Sequence, residues 1–154
     1  MNYSLRKYQE ADCVLLADLF FRSIHTTCQN DYSQEQLNAW ANGKVDLTEW
    51  HHSFCEHYTV VAALDNGVIV GFGDIDINGY LDRLFVHPDY QRQGIATAIC
   101  NKLESVVKVE TLSVYASITA QRFFEKRGYV TIKSQSVARK GILLRNYLME
   151  KRLV

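Results

Sequence analysis

Proline and glycine are scarce in this chain, and net charge is missing altogether. One proline and eight glycines in 154 residues leave no Pro-rich or Gly-rich stretch that would serve as a linker. Seventeen Lys plus Arg balance seventeen Asp plus Glu. That balance excludes a broad electrostatic grip on nucleic acid or on an anionic membrane, while leaving room for a local basic patch. No apolar run approaches the roughly 20 residues a membrane-spanning helix needs. The opening residues, MNYSLRKYQEAD, lack the apolar centre and small-residue cleavage site of a secretion signal. Cys13, Cys28, Cys55 and Cys100 show no CxxC spacing, which argues against a metal site and for reduced thiols. The expectation is a cytoplasmic protein without metal, and without nucleic acid or membrane as partners.

What is present is a globular composition, 47% hydrophobic and 22% charged, sufficient for one core over residues 1–154. Residues 2–7 suit a short strand. From Ala11 to Thr27, Val14, Leu15, Leu16, Leu19, Phe20 and Ile24 recur at helical spacing, with Asp12 as the expected cap. Ser33 and Gln36 have capping-box spacing, and Asn42-Gly43 stops the helix they start. A third helix is expected over 47–55. The pattern then turns extended, with strands over 58–64, 68–77 and 80–86, the last two joined at Asn78-Gly79. A helix over 94–107, a strand over 111–116, a helix over 119–127 and two strands over 129–137 and 142–153 complete the order. This predicts a mixed α/β fold with a largely antiparallel central sheet flanked by helices. The one parallel crossover falls at 80–116 and is right-handed.

The stretch Gln91, Arg92, Gln93, Gly94, Ile95, Ala96, Thr97 lies between a strand end and a helix start. Free amides and the helix dipole converge there, a combination that binds phosphate. Gly94 and the small Ala96 permit close approach. No Lys-Ser/Thr follows, which excludes a Walker loop, and a single glycine excludes a dinucleotide fingerprint.

With its flanks, LDRLFVHPDYQRQGIATAICNKLE resembles the acetyl-CoA-binding core of the GNAT superfamily of N-acyltransferases, whose [Q/R]-x-x-G-x-[G/A] signature matches Gln91, Gly94 and Ala96. Downstream, ASITAQRFFEKRGY resembles the family's second cofactor motif. YSQEQLNAW (32–40) and YLMEKRL (147–153) look like a small bacterial branch. The resemblance implies a splayed parallel strand pair with acetyl-CoA in the gap, Leu84, Phe85 and Val86 holding its pantetheine arm as an added strand. Residues 92–97 would take the pyrophosphate, and Ser117, Phe123 and Phe124 would line the cofactor's far side. Ser117 stands where the family often has Asn. Phe124 stands where it often has the Tyr that protonates the leaving thiolate, so that role does not carry over. Family members are often homodimers.

Transfer to an amine calls for a proton acceptor. A two-residue loop at Asn78-Gly79 sets Ile77 opposite Tyr80, Ile75 opposite Asp82 and Asp74 opposite Arg83. Asp74 and Arg83 then form an ion pair. Asp82, without a partner, shares a face with Tyr80, Leu84, Ile75 and Ile77, where burial lifts its pKa towards that of a base. Its alternative is a carboxylate satisfied by backbone donors. Tyr80 would order a water or the substrate, and Tyr115 is the remaining candidate acid, with packing as its alternative. His87 reads as a loop cap before Pro88, His51 and His52 as solvated, and His25 and His57 carry no signal. Tyr32, Trp40, Trp50 and Phe54 form an aromatic set in which Tyr32 and Trp40 are candidates to line the acceptor pocket. Cys100 reads as a buried structural thiol, disfavouring a covalent acetyl-enzyme. The functional expectation is direct acetyl transfer from acetyl-CoA to a primary amine of a small molecule or peptide. The alternative is an acyl-CoA sensor without turnover, motivated by Phe124.

Overall fold

The computed structural model describes residues 2–153. Seven strands form one sheet: β1 (Tyr3–Lys7), β2 (Tyr58–Leu64), β3 (Ile69–Ile75), β4 (Tyr80–Val86), β5 (Thr111–Ser117), β6 (Val130–Arg139) and β7 (Ile142–Arg152). Their spatial order is β1-β2-β3-β4-β5-β7-β6. All pairings are antiparallel except β4 with β5, as the strand–helix–strand connection requires.

Helices α1 (Cys13–Thr27), α2 (Gln34–Trp40) and α3 (Leu47–Glu56) cover one face, where Leu16, Leu19, Phe54, Val61 and Phe72 are buried together. Helix α4 (Ile95–Val106) lies on the sheet through Ile95, Ile99, Cys100 and Leu103, packed with Val60, Ile75, Leu81 and Leu112, and α5 (Gln121–Lys126) adds Phe124 to the same core. The capping box at α2 is present: Ser33 Oγ accepts from Gln36 N at 3.2 Å, and Gln36 Oε1 accepts from Ser33 N at 2.8 Å. Gln36 also donates to the Leu143 carbonyl at 2.9 Å, fastening α2 to β7.

Three local expectations need correction. Asp12 holds the N-cap position of α1, but its side chain makes no capping bond there. A 3₁₀ turn at Glu10–Asp12 precedes the helix, and the buried Asp12 carboxylate takes both guanidinium nitrogens of Arg6, at 2.8 and 2.9 Å, and the Gln9 amide. Helix α5 is shorter than the 119–127 pattern, because Ser117 Oγ holds the Ala120 amide in the preceding turn.

The third correction reaches the site. The β3–β4 loop has three residues rather than two. Asp76 N donates to Tyr80 O at 2.9 Å, and Asp76 Oδ1 accepts from both Asn78 N and Tyr80 N at 2.9 Å. That side-chain turn outcompetes the tight Asn-Gly turn. The extra residue reappears as a bulge: Asp74 still faces Arg83, but Ile75 faces Leu81, leaving Asp82 unpaired in the ladder. Ile77 points into solvent, 86% exposed.

Gly73 shows how closely α4 sits on the sheet. A Cβ there would lie 2.9 Å from both the Arg83 carbonyl oxygen and Ile99 Cγ2. Gly73→Ala is therefore expected to lower unfolding free energy by about 1–3 kcal/mol. Urea denaturation checks this; an unchanged midpoint would contradict the packing described.

Candidate active site

Strands β4 and β5 pair only at Tyr80↔Ser113 and Leu81↔Val114, and then diverge. A cleft of about 460 Å³ opens from that point. Its base is β4 and β5. One wall comes from α1, α2, α3 and the α1–α2 loop through Phe20, Ser23, Thr27, Tyr32, Trp40 and Trp50; the other comes from Gln91, Ala96, Ala120, Phe123 and Phe124.

The hydrogen-bonding direction along β4 alternates. His87 N donates to Val70 O on β3, and Arg83 N donates to Asp74 Oδ1 on the same side. Phe85 therefore also turns its amide towards β3, whereas those of Leu84 and Val86 face the gap. Of the three residues expected to present backbone to a ligand, Leu84 and Val86 face the gap and Phe85 does not. Phe85 instead places its ring against Phe20 at 5.0 Å and Phe72 at 5.7 Å.

Past Val86 the chain turns into α4. His87 accepts the Asp89 amide at 3.0 Å, the loop cap expected of it. Gln91 Nε2 donates to the Val86 and His87 carbonyls at 2.8 and 3.3 Å, so its amide shapes the turn. Arg92 (φ 59°) and Gly94 (φ 80°) are both left-handed, and nothing lies within 4 Å of a Cβ built on Gly94. The first helical bond runs from Ala98 N to Gly94 O, which leaves the amides of Ile95, Ala96 and Thr97 without intrahelical partners. Arg92, Gln93 and Thr97 are exposed beside them. The turn has the geometry of an anion cradle.

On the other side of the gap, Ser117 Oγ is engaged with Ala120 N, and Phe124 is 2% exposed and packs on Tyr129. Phe123 is more open. Tyr32 is buried with its hydroxyl doubly engaged, donating to Arg145 O at 2.6 Å and accepting from Ile118 N at 2.9 Å. It therefore offers the cleft its ring, which meets Trp40 edge-on at 5.5 Å. Among the described residues, the buried Thr27 Oγ1 and Asn146 Oδ1 have no hydrogen-bond partner and both residues line this cleft, whereas Arg83 Nη1, also without a hydrogen bond, is turned to Asp74. Unsatisfied polar atoms around one opening mark a surface built to meet a polar ligand or water.

Asp82 is not the partnerless carboxylate that the two-residue loop predicts. The bulge carries it to the side of Arg83, whose Nη2 lies 3.6 Å from Asp82 Oδ2. Arg83 Nη1 is 3.4 Å from Asp74 Oδ2, the expected cross-strand pair, and Arg83 also donates to Ser53 Oγ. Burial, then the neighbouring Asp74, still pushes the Asp82 carboxyl above the usual range. Tyr80 meets Tyr115 at 5.9 Å; burial, then Asp82, pushes its phenol up to about 12, so it is a standing donor rather than a ready acid. Tyr115 is 42% exposed at the cleft edge.

His57, for which the sequence holds no distinctive signal, belongs to this constellation. Its Nδ1 is 2.9 Å from Asp74 Oδ2, and that hydrogen bond raises its pKa from 6.5 against the cost of burial. The signal to follow was Asp74 itself: a carboxylate inside the apolar strand IVGFGDI requires a buried cationic or donor partner. Cys100 is 0% exposed with its thiol pushed up to about 12 by burial, as expected of a structural cysteine.

A central sheet with a splayed parallel pair, an anion cradle beyond one strand and a mixed polar–aromatic cleft define the acyl-CoA N-acyltransferase architecture. The comparisons agree. The profile described as "Acetyltransferase (GNAT) domain" matches residues 28–151. The chain is 38% identical over 149 residues to the uncharacterized N-acetyltransferase YafP of Escherichia coli (strain K12), covering 96% of this chain and 95% of that one. Its fold matches a GCN5-related N-acetyltransferase from Rhodopseudomonas palustris with a TM-score of 0.94 and 35% identity, covering 99% and 97% of the two chains. PaiA N-acetyltransferase from Thermoplasma acidophilum, in complex with coenzyme A, shares the fold at a TM-score of 0.78 and 19% identity, covering 99% of each chain. The chain belongs to the GNAT acetyltransferase family.

The pairing of His57 with Asp74 has a consequence for stability. A histidine whose folded pKa is raised stabilises the fold fully below its unfolded value, and that contribution is lost as pH rises through the folded value. Between about pH 6 and pH 8 the urea midpoint of the wild type is expected to fall more than that of His57→Gln. Parallel midpoints across this window would show that folding leaves the His57 pKa unshifted, against the pairing with Asp74.

Proposed function

We propose that the protein is an acetyl-CoA-dependent N-acetyltransferase, a single catalytic domain over 1–154, that moves the acetyl group directly to a primary amine. The observation that carries this reading is the opening of β4 from β5 beyond Leu81, with the Leu84 and Val86 amides facing the gap. The pantetheine arm would lie along them like a missing strand, and the pyrophosphate would meet the amides of residues 95–97 beside Arg92. The coenzyme A bound by the PaiA enzyme of the same fold supports the assignment.

In the reaction, the amine nitrogen attacks the thioester carbonyl carbon, the carbon–sulfur bond breaks, and coenzyme A leaves as its thiolate. Asp82 takes the proton that the amine loses. The thiolate is protonated by water or by Tyr115; a thiol with a pKa of about 8.5 is an adequate leaving group without the family's usual tyrosine. Tyr80, which lines the same cleft, would order a water or the substrate.

The lining also bears on the acceptor. Its charged residues are Asp82, Arg83, Arg139 and Arg145, not the acidic set that would suit a polycation. With Phe20, Trp40 and Trp50 as the wall, the acceptor is a small amine with an apolar or aromatic body.

Purified protein given acetyl-CoA and a panel of arylalkyl and small aliphatic amines is expected to release free thiol. Asp82→Asn should lower kcat/KM by about 10²–10³-fold. Gly94→Ala should raise the KM for acetyl-CoA by about tenfold, since the added methyl both strains a left-handed residue and stands in the cradle. Tight acetyl-CoA binding with no thiol release on any acceptor would favour the sensor reading that Phe124 motivates.

A further inference from the structure

Four ionisable side chains meet beneath the cleft: His57 from the residue before β2, Asp74 from β3, and Asp82 and Arg83 from β4. A ring nitrogen of His57 and one carboxylate oxygen from each aspartate lie within 4.8 Å of one another. Asp74 is fully buried and is held from three directions, by Arg83 N at 2.9 Å, His57 Nδ1 at 2.9 Å and Arg83 Nη1 at 3.4 Å. The guanidinium lies 4.4 Å from the Phe54 ring centre and 5.0 Å from that of Trp50. It turns one nitrogen to each carboxylate, Nη1 to Asp74 and Nη2 to Asp82.

The charge count follows. With His57 protonated, two cations face two carboxylates. Without it, one guanidinium serves both, and the buried Asp74 has the stronger claim because an unpaired charge costs more inside than at the cleft. Asp82, a third exposed, would then lose most of its compensation. Asp76 in the β3–β4 turn adds a further negative charge on Asp82, and Tyr80 stands beside it. On its outer side His57 lines a hollow with Lys7, Tyr8, Cys55 and Tyr58, which leaves its side chain partly exposed.

We propose that His57 is a positioning residue for acetyl transfer: by holding Asp74 it leaves the Arg83 guanidinium shared with Asp82, and so keeps the Asp82 carboxylate ionised when the amine must lose its proton. The inference rests on the role proposed for Asp82. His57 itself touches neither the thioester nor the amine.

The test is the pH dependence of kcat/KM. Ionised Asp82 is the active form, so activity falls as pH drops through its pKa. Removing the His57 charge raises that pKa, and the acid limb of His57→Gln moves up by about half to one pH unit. Its deficit is about three- to tenfold on the acid limb, below the Asp82 pKa, and shrinks to less than about twofold once pH has risen well above that pKa. His57→Lys, which keeps a cation, returns the limb towards the wild type. A merely structural role would lower activity by the same factor at every pH.

Should His57→Gln fold poorly, the reciprocal measurement uses the other partner: in Asp82→Asn, the NMR titration midpoint of the His57 imidazole falls. An acid limb that stays in place in His57→Gln, or a His57 midpoint unmoved in Asp82→Asn, overturns the positioning role while leaving Asp82 as the base. Wild-type turnover in Asp82→Asn overturns both.

Discussion

Two parallel strands share a ladder only while their axes stay about 4.8 Å apart, and β4 and β5 keep that spacing for two residue pairs. Everything that gives this protein a site follows from their parting beyond Leu81. The backbone of β4 has β3 on one side throughout, so the parting leaves unpaired groups on the other side only. Those groups would be a liability on an exposed sheet edge. Here the walls from α1–α3 and from α4–α5 close over them, turning an open edge into a binding gap with a defined direction. The β4 chain then runs straight into the left-handed turn at Arg92–Gly94 and the free amides of α4. A strand-like slot and an anion cradle are thus consecutive along one stretch of chain, matching a ligand with an extended arm and a phosphate end.

The bulge opposite Ile75 adds the chemistry to that geometry. A regular two-residue hairpin would aim Asp82 with Leu84, towards the core beneath α4, where an ionised carboxylate has no partner. The extra residue taken up by the Asp76 turn carries it to the Arg83 side instead. The cluster of Asp74, Asp82, Arg83 and His57 is then close to neutral as a whole, while Asp82 is its carboxylate that borders the cleft. A carboxylate can be partly buried, raised in pKa and still ionised only under such shared compensation. Local charge matters more here than the zero net charge of the chain.

Much of this was legible in the sequence where the signal is local. The turn at Gln91–Thr97 combines a glycine, a following helical period and flanking motifs, and the capping box at Ser33–Gln36 is a four-residue signature. The Asp74–Arg83 register survived because it lies beyond the bulge. The bulge itself was not legible: Asn78-Gly79 signals a tight turn, and the competing signal, the Asp76 carboxylate two residues before it, gains its advantage only by taking two amides at once. One added residue sufficed to change the side on which Asp82 lies. His57 was missed because it lies outside any periodic element and its partner is 17 residues away. The wall of the cleft proposed for the acceptor draws on α1, α2 and β7, far apart in sequence, so residues such as Thr27 and Asn146 have no shared pattern to betray them.

In the proposed complex the free side of β4 receives acetyl-CoA as a strand would be received. Amide hydrogen exchange with and without acetyl-CoA tests it most directly. The Leu84 and Val86 amides, together with those of Ile95, Ala96 and Thr97, should become protected on binding, while Phe85, already turned to β3, should change little. Exchange at Leu84 and Val86 that stays at its unliganded rate when acetyl-CoA is bound would contradict the claim.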